Sequence, residues 1–415
     1  MNNEATIGYF KKSVIGVFWT GLFRIASRGV VFLKIIILAR LLTPAQFGVF
    51  GIASIALAFL EVITETGINV FFIQQKKNIE FYVNEAWLIS IIRGFLICFI
   101  IIISSPLVAG FFNSPDAYIL LLLIGAVPLI RGFINPSIIK YQKELEFNKE
   151  FIFRLTIFVF DTLVGVLAVF LTRSPIGIVI GLITGAILEV VLSFIFLRPI
   201  PEFSFDLSKV REIIRKGKWV TMYVIFHFIT KEGDKVVVGK ILGIGLLGIY
   251  QIGYNLSTLP ISEISDVANK VIFPVYTKIV HDKERLFRAF RKTLSIIFVI
   301  AVLLGSLLFI LPKEIFTFVL GEQWAQVNLV IKILAVYGVI RAIVGIPSTL
   351  FLSLGKQNYV AFMTFFRFLI LFITIVPFTN SWGIEGAGYS ALTSAIAELP
   401  LIGYYLIRIG NKNKL

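Results

Sequence analysis

Apolar side chains dominate this chain, interrupted at intervals by short polar clusters. Runs of about 18 or more apolar residues recur, each long enough to cross a hydrocarbon core of about 30 Å as a helix. Twelve membrane spans are predicted, at 14–38, 47–73, 86–111, 118–139, 151–172, 176–197, 219–239, 247–275, 292–311, 326–354, 358–378 and 383–407. Helices follow rather than strands, because an open strand leaves backbone N–H and C=O groups unsatisfied in lipid. The first span follows twelve polar residues and lacks a small-residue cleavage site, so it reads as a retained helix and not a removed leader.

The pattern also repeats. ARLLTPAQFGVFGIA (Ala39–Ala53) returns two hundred residues later as GKILGIGLLGIYQIG (Gly239–Gly253), with Arg40 on Lys240, Leu42 on Leu242, Gly48 on Gly248 and Phe50 on Tyr250. Trp19 meets Trp219 in the same alignment, IRGFINPS (Ile130–Ser137) resembles IRAIVGIPS (Ile340–Ser348), and FIFR (Phe151–Arg154) resembles TFFR (Thr364–Arg367). Solenoid repeats have periods of about 20–50 residues; this spacing implies a duplicated half-protein. The expected domains are a six-helix half at 1–197, a linker at 198–218 and a second six-helix half at 219–415. Six spans is an even number, so the halves share one orientation. A central cavity is expected between them.

Composition sharpens the class. The chain of 415 residues is 58% hydrophobic and 15% charged, against about 25% charged in soluble domains. An all-α polytopic membrane protein is the expected fold class. The formal net charge of +15 is distributed by loop. Lys11, Lys12, Lys76, Lys77, Lys140, Lys143, Lys149 and the bases of the linker share one side with Lys278, Lys283, Arg285, Arg288, Arg291, Lys292, Lys356, Arg408, Lys412 and Lys414. The other side receives Arg40, Arg173, Lys240 and Lys313. The positive-inside rule makes the first side cytoplasmic, with both termini inside. The basic surplus is then topology, and no nucleic-acid partner is expected. Arg198–Lys218 reads as prolines followed by a short amphipathic basic helix on the headgroups, with Val280–Lys292 as its counterpart strip. The lone Cys98 is a small buried hydrophobe, and Gly181 and Gly185 suit close helix packing.

Ionisable groups inside spans cost a few kcal/mol each and mark candidate function. Span one carries Arg24, Arg28 and Lys34; its duplicate, span seven, carries His227, Lys231, Asp234 and Lys235. Arg131 and Arg341 occupy matching places in spans four and ten, as do Arg154 and Arg367 in five and eleven. The acids are Glu61 and Glu65 in span two, Asp161 in five, Glu189 in six, Glu263 and Asp266 in eight, and Glu398 in twelve. Stacked bases on two related spans suit an anionic substrate, because guanidinium binds phosphate bidentately. Arg24, Arg28, Lys231 and Lys235 are therefore the candidate phosphate ligands, with Arg131 and Arg341 deeper in the cavity. Structural ion pairing is the competing account of the same residues. Neither metal-ligand spacing around His227 and His281 nor a phosphate-cradling glycine loop occurs. A transporter without cofactor or metal is expected, driven by an ion gradient, the membrane potential or its substrate's gradient. Asp161, Glu61, Glu65 and Asp234 are the candidate sites for H+ or Na+. Asp161 has no base one turn away in sequence, although Arg131 could meet it from another helix.

RLLTPAQFG after span one, KVVVGKILGIGLLGIYQIGYNLSTLP (Lys235–Pro260) and VIFPVYTKI (Val271–Ile279) resemble the signatures of the polysaccharide transporters, the Wzx-type oligosaccharide flippases. That family sits with lipid II flippases and MATE exporters in the multidrug/oligosaccharidyl-lipid/polysaccharide superfamily. The resemblance covers the whole chain. It implies two six-helix halves and movement of a polyprenyl-(pyro)phosphate-linked oligosaccharide to the outer leaflet of the cytoplasmic membrane, for O-antigen, lipopolysaccharide or other surface glycans. Membrane lipids and a polysaccharide polymerase are the partners it implies. Asp234, one residue before Lys235, keeps a position typical of the family. The alternative is a MATE-like ion-coupled exporter of small organic molecules, which would want acids to dominate its cavity. A membrane-embedded glycosyltransferase would want catalytic acids in a large outer loop, and the expected outer loops are short.

The loop asymmetry predicts sidedness. In a Cys98→Ser background, cysteines placed at Lys143 and Lys283 should resist an impermeant maleimide on intact cells and label after permeabilisation. A cysteine at Asp116 should label at once.

Overall fold

The structure, a computed structural model, describes residues 19, 21–22, 26–64, 79–144, 146–203, 206, 228–229, 231–310 and 312–411. Among these the regular secondary structure is helical throughout. The chain forms two compact units, Met1–Glu232 and Gly233–Leu415. The boundary falls inside the expected seventh span.

The first unit contains α1 (26–41), α2 (Pro44–Ile63), α3 (Val83–Phe111), α4 (Pro115–Ile124), α5 (Ala126–Arg131), α6 (Ile139–Lys143), α7 (Phe147–Thr172) and α8 (Ile176–Phe196). The TPAQ sequence makes the turn between α1 and α2. Thr43 is the N-cap, Pro44 needs no N–H at N1, and Gln46 closes a capping box. The Thr43 N–H donates to Gln46 Oε1 at 2.9 Å, while Gln46 Nε2 reaches across to the Arg173 carbonyl at 2.9 Å. The motif therefore ties the turn after α1 to the turn after α7. At the other end of α2, Arg93 donates to the Glu61 carbonyl at 2.6 Å and to Thr64 Oγ1 at 3.1 Å, satisfying groups a helix C-terminus leaves open.

Span four is not a straight helix. Pro115–Arg131 and Pro136–Lys143 meet at 70°. Asn135 caps the second piece by accepting from the Ser137 N–H at 2.9 Å, and Pro136 starts it. The elbow is held from outside: Trp87 Nε1 donates to the Phe133 carbonyl at 3.0 Å, and Asn135 Nδ2 to the Pro199 carbonyl at 3.0 Å. Span six packs on span five through glycine. A Cβ on Gly177, Gly181 or Gly185 would collide with α7 at Val169, the Asp161 carbonyl and the Asp161 Cβ respectively. Close backbone approach of this kind replaces the hydrophobic drive that lipid removes.

The second unit holds α10 (Ile244–Lys278), α11 (Lys283–Ile310), α12 (Pro312–Leu320), α13 (Val327–Ser353), α14 (Gln357–Ile396) and α15 (Glu398–Asn411), preceded by α9 (231–242). Seven described helices are long and apolar enough to cross a membrane, the last running Gln357–Ile409. That last one is two crossings. Trp382 and Gly383 leave helical geometry, Gly383 at φ 57°, and the chain doubles back. Thr374 Oγ1 and Ser390 Oγ lie 2.6 Å apart, whereas sixteen residues of straight helix would separate them by about 24 Å. A Cβ on Gly386 would strike the Phe378 carbonyl, so the turn depends on glycine at both places. The separate spans eleven and twelve expected from sequence are thus present. The expected surface strip Val280–Lys292 is corrected: from Lys283 it is the start of α11 itself. Leu286 and Phe290 are buried in a core cluster with Tyr276 and Ile297, and this apolar stripe keeps the segment helical and docked. Most of the Arg198–Lys218 linker lies outside the described residues.

The fold-back at Trp382–Gly383 makes a distance prediction. With Cys98→Ser, the pair Thr374→Cys and Ser390→Cys should form a disulfide under mild oxidation, seen as protection from a mass-tagged maleimide. An unbroken helix would leave the two thiols too far apart to bridge.

Candidate functional site

Lys34, Arg131 and Arg154, bases inside the first unit's spans, each meet an acid. Lys34 Nζ lies 3.1 Å from Asp161 Oδ1, with the two side chains 14% and 10% exposed. Thr162 Oγ1 adds a second donor to the same oxygen at 3.2 Å. Gly185 lets α8 press against the Asp161 Cβ, which fixes where the carboxylate can point. Arg131 Nε lies 3.6 Å from Glu189 Oε2. Arg154 Nε donates to Glu150 Oε1 at 2.7 Å, and Gln142 Nε2 to that atom at 2.6 Å. The base that meets Asp161 is thus Lys34, not Arg131. Arg28 sits exposed on α1 and Glu61 is half-buried on α2. Arg24, Glu65 and His227 lie outside the described residues.

In the second unit, Asp234 is buried on α9, and Tyr250 OH donates to its Oδ2 at 2.7 Å. The Lys235 N–H donates to Asp234 Oδ1 at 2.8 Å. Lys235 Nζ stands 4.9 Å above the Tyr254 ring, an arrangement in which the ring's negative face attracts the ammonium. Tyr254 OH and Tyr337 OH are 3.4 Å apart. Arg341, one turn beyond Tyr337 on α13, donates from Nη1 to Glu398 Oε2 at 3.0 Å. Arg367 Nη1 approaches the same oxygen at 3.9 Å, and Glu398 is 2% exposed. Two guanidinium groups therefore share one buried carboxylate. Lys231 is exposed at the start of α9.

The sequence-predicted residues are thus divided. Asp234 and Lys235 share one buried patch with the tyrosines, Arg341 joins Glu398 and Arg367, and Asp161 joins Lys34. Arg28, Lys231 and Glu61 lie on three different helices, α1, α9 and α2. Tyr250, Tyr254 and Tyr337 were missed, although Tyr250 and Tyr254 are spaced four apart on one helix face. The partners of Arg131 and Arg341 were missed as well, although Glu189 and Glu398 follow their arginines by nearly equal intervals.

Residues 37–329 match the family described as polysaccharide biosynthesis protein. The lipopolysaccharide biosynthesis protein WzxC of Escherichia coli (strain K12) is 25% identical over 337 residues, covering 80% of this chain and 68% of that one. A membrane protein of the cps region of Klebsiella pneumoniae is 27% identical over 413 residues, covering 96% of this chain and 84% of that one. The lipid II flippase MurJ in an inward closed conformation has a TM-score of 0.74 at 16% identity, covering 95% of this chain and 87% of that one. An inward-facing MATE multidrug transporter of the MOP superfamily has a TM-score of 0.67 at 15% identity, covering 95% and 99%. At such identities the structural likeness establishes the fold, which is that of the MOP transporters.

The Lys34–Asp161 pair predicts a characteristic stability pattern. Lys34→Met or Asp161→Leu alone leaves a buried charge without its counterion, at a cost of about 3–5 kcal/mol. The double variant Lys34→Met/Asp161→Leu should recover most of that loss. Thermal unfolding in detergent, run as a double-mutant cycle, measures it; additive losses would mean the two charges are uncoupled.

Proposed function

The chain belongs to the polysaccharide biosynthesis protein family, and on that premise we propose that this multi-pass membrane protein is a lipid-linked oligosaccharide flippase. It carries a polyprenyl-(pyro)phosphate-linked glycan from the cytoplasmic to the outer leaflet of the cytoplasmic membrane by alternating access. The observation that carries this reading is the pair of guanidinium groups, Arg341 and Arg367, on the single carboxylate of Glu398. One carboxylate leaves guanidinium donors available for an anion, and phosphate matches their planar fork. The neighbouring tyrosines, Tyr254 and Tyr337, offer hydroxyls and ring faces suited to sugar rings. Exposed Arg28 and Lys231 serve as first ligands for the pyrophosphate, and Lys235 helps set the Tyr254 ring.

An exporter of organic cations fits less well. The described acids Asp161, Glu189 and Glu398 each lie within 4.0 Å of a base, which spends their charge inside the protein. Coupling to H+ or Na+ belongs to the same proposal. A proton taken up by Asp161 would release Lys34 and loosen α1 from α7, and Glu61, Glu65 and Asp234 are the other acids available for such exchange.

Complementation of an export-deficient strain tests the assignment, with membrane levels checked by blot. Arg28→Ala, Lys231→Ala and Arg367→Ala should each cut surface glycan by about tenfold or more at normal protein levels, the order expected for losing one charge-assisted contact. Arg28→Lys should restore only part, since an ammonium cannot reproduce the bidentate fork. Normal export by all three alanine variants would refute the anionic-substrate reading.

A further inference from the structure

We infer that the first unit carries a binding groove for one anionic phospholipid, seated between α1 and α7 with its phosphate at Arg40 and Arg173. The two helices run side by side in the same direction. They meet at Lys34–Asp161, and their C-terminal turns are joined by the Gln46–Arg173 hydrogen bond. Between those two fixed points the surface opens into a cavity of about 790 Å³. Ile36, Ile37 and Leu41 line it from α1, and Leu163, Leu167 and Phe170 from α7, with Arg40 at its end. Leu163, Leu167 and Phe170 are more than half exposed, so the open side is apolar and suits a hydrocarbon chain. The Arg173 guanidinium stands 5.3 Å over the Phe170 ring, held at the helix end by its own backbone N–H on the Val169 carbonyl at 2.8 Å.

Three features select the occupant. Arg40 and Arg173 are two of the four bases that the sequence assigns to the side opposite the basic loops, and the fold brings their turns to the same end of the unit. A base at a helix C-terminus complements the helix dipole, which accounts for either arginine alone. An apolar groove lined by Arg40, with the Arg173 guanidinium over its Phe170 wall, also suits a lipid phosphate held through charge-assisted hydrogen bonds. The third feature is length. Leu163 to Phe170 rises about 10 Å, roughly a third of the hydrocarbon core. That holds part of one acyl chain and offers little to a polyprenyl chain many times longer. The site is separate from the glycan-bearing substrate and does not depend on its identity.

Native mass spectrometry of the full chain, released from detergent with equal phosphatidylglycerol, phosphatidylethanolamine and undecaprenyl phosphate, tests the inference. Wild type should retain phosphatidylglycerol preferentially. Arg40→Gln/Arg173→Gln should lower that retention by about tenfold, the order expected for two lost charge-assisted contacts offset in part by the new amides, with phosphatidylethanolamine unchanged. Leu167→Trp, which fills the groove and leaves both arginines, should lower retention of both phospholipids. Equal retention of the two phospholipids by wild type would overturn the site. So would phosphatidylglycerol retention unchanged in both variants. Undecaprenyl phosphate displacing phosphatidylglycerol would overturn the assigned occupant.

Discussion

A charge placed in hydrocarbon must find an opposite charge or a polar partner, and much of this fold answers to that constraint. Arg131 and Glu189 join span four to span six in the first unit at 3.6 Å. Arg341 and Glu398 make the same connection in the second unit at 3.0 Å. The arginines are 210 residues apart and the glutamates 209, so the two pairs occupy matching places. Lys34–Asp161 adds a tie from span one to span five. Each tie stabilises less than its Coulomb energy suggests, because both ions leave water. What it supplies is register: losing one partner strands the other in lipid, and so a helix cannot easily rotate or slide past its neighbour.

The halves have kept the frame and changed the chemistry set on it. The two-hundred-residue alignment places Asp234 where the first unit has Lys34, and the spacing of Arg154 and Arg367 places Thr374 where it has Asp161. The ion pair of the first unit is accordingly missing from that place in the second. Asp234 takes a hydrogen bond from Tyr250 at 2.7 Å, and Thr374 meets Ser390 at 2.6 Å. Helix starts diverge similarly. Thr43 caps α2 with its side chain, while its counterpart Gly243 begins α10 at φ 85° with no side-chain cap. Asn135–Pro136 breaks span four, yet Ile346–Pro347 lies within the continuous α13. The proline that ends a helix here is the one preceded by Asn135, which caps the next piece.

These differences explain what could be read from the sequence. Apolar runs placed the spans, and glycines at steps of four on α8 announced close packing, because both are local patterns with fixed geometric meaning. TPAQ, read only as part of a family motif with the span starting at 47, is in fact the capping box that starts α2 at Pro44. Partners across helices were harder. Nothing local distinguishes Lys34 from Arg131 as the companion of Asp161, since the choice depends on which helix faces which. The 70° elbow was hidden because its hydrogen bonds come from Trp87, Ser193 and Pro199, all distant in sequence. Residues 65–78 and most of the linker lie outside the described structure, and the expectations for Glu65 and the basic surface helix rest on sequence alone.

The unequal fate of the charges bears on mechanism. In the first unit the described pairs match one base to one acid. In the second, Arg341 and Arg367 meet on Glu398, two guanidinium groups on one carboxylate. Buried like charges raise the free energy of the empty protein, and an arriving anion lowers it. On the proposed function, such a site would bind phosphate more tightly than its hydrogen bonds alone suggest, because binding also relieves repulsion that was present beforehand. On the same proposal it would discriminate against cations, a form of selection through disfavoured alternatives. The Lys34–Asp161 pair of the first unit, one base to one acid, gains nothing comparable from an anion.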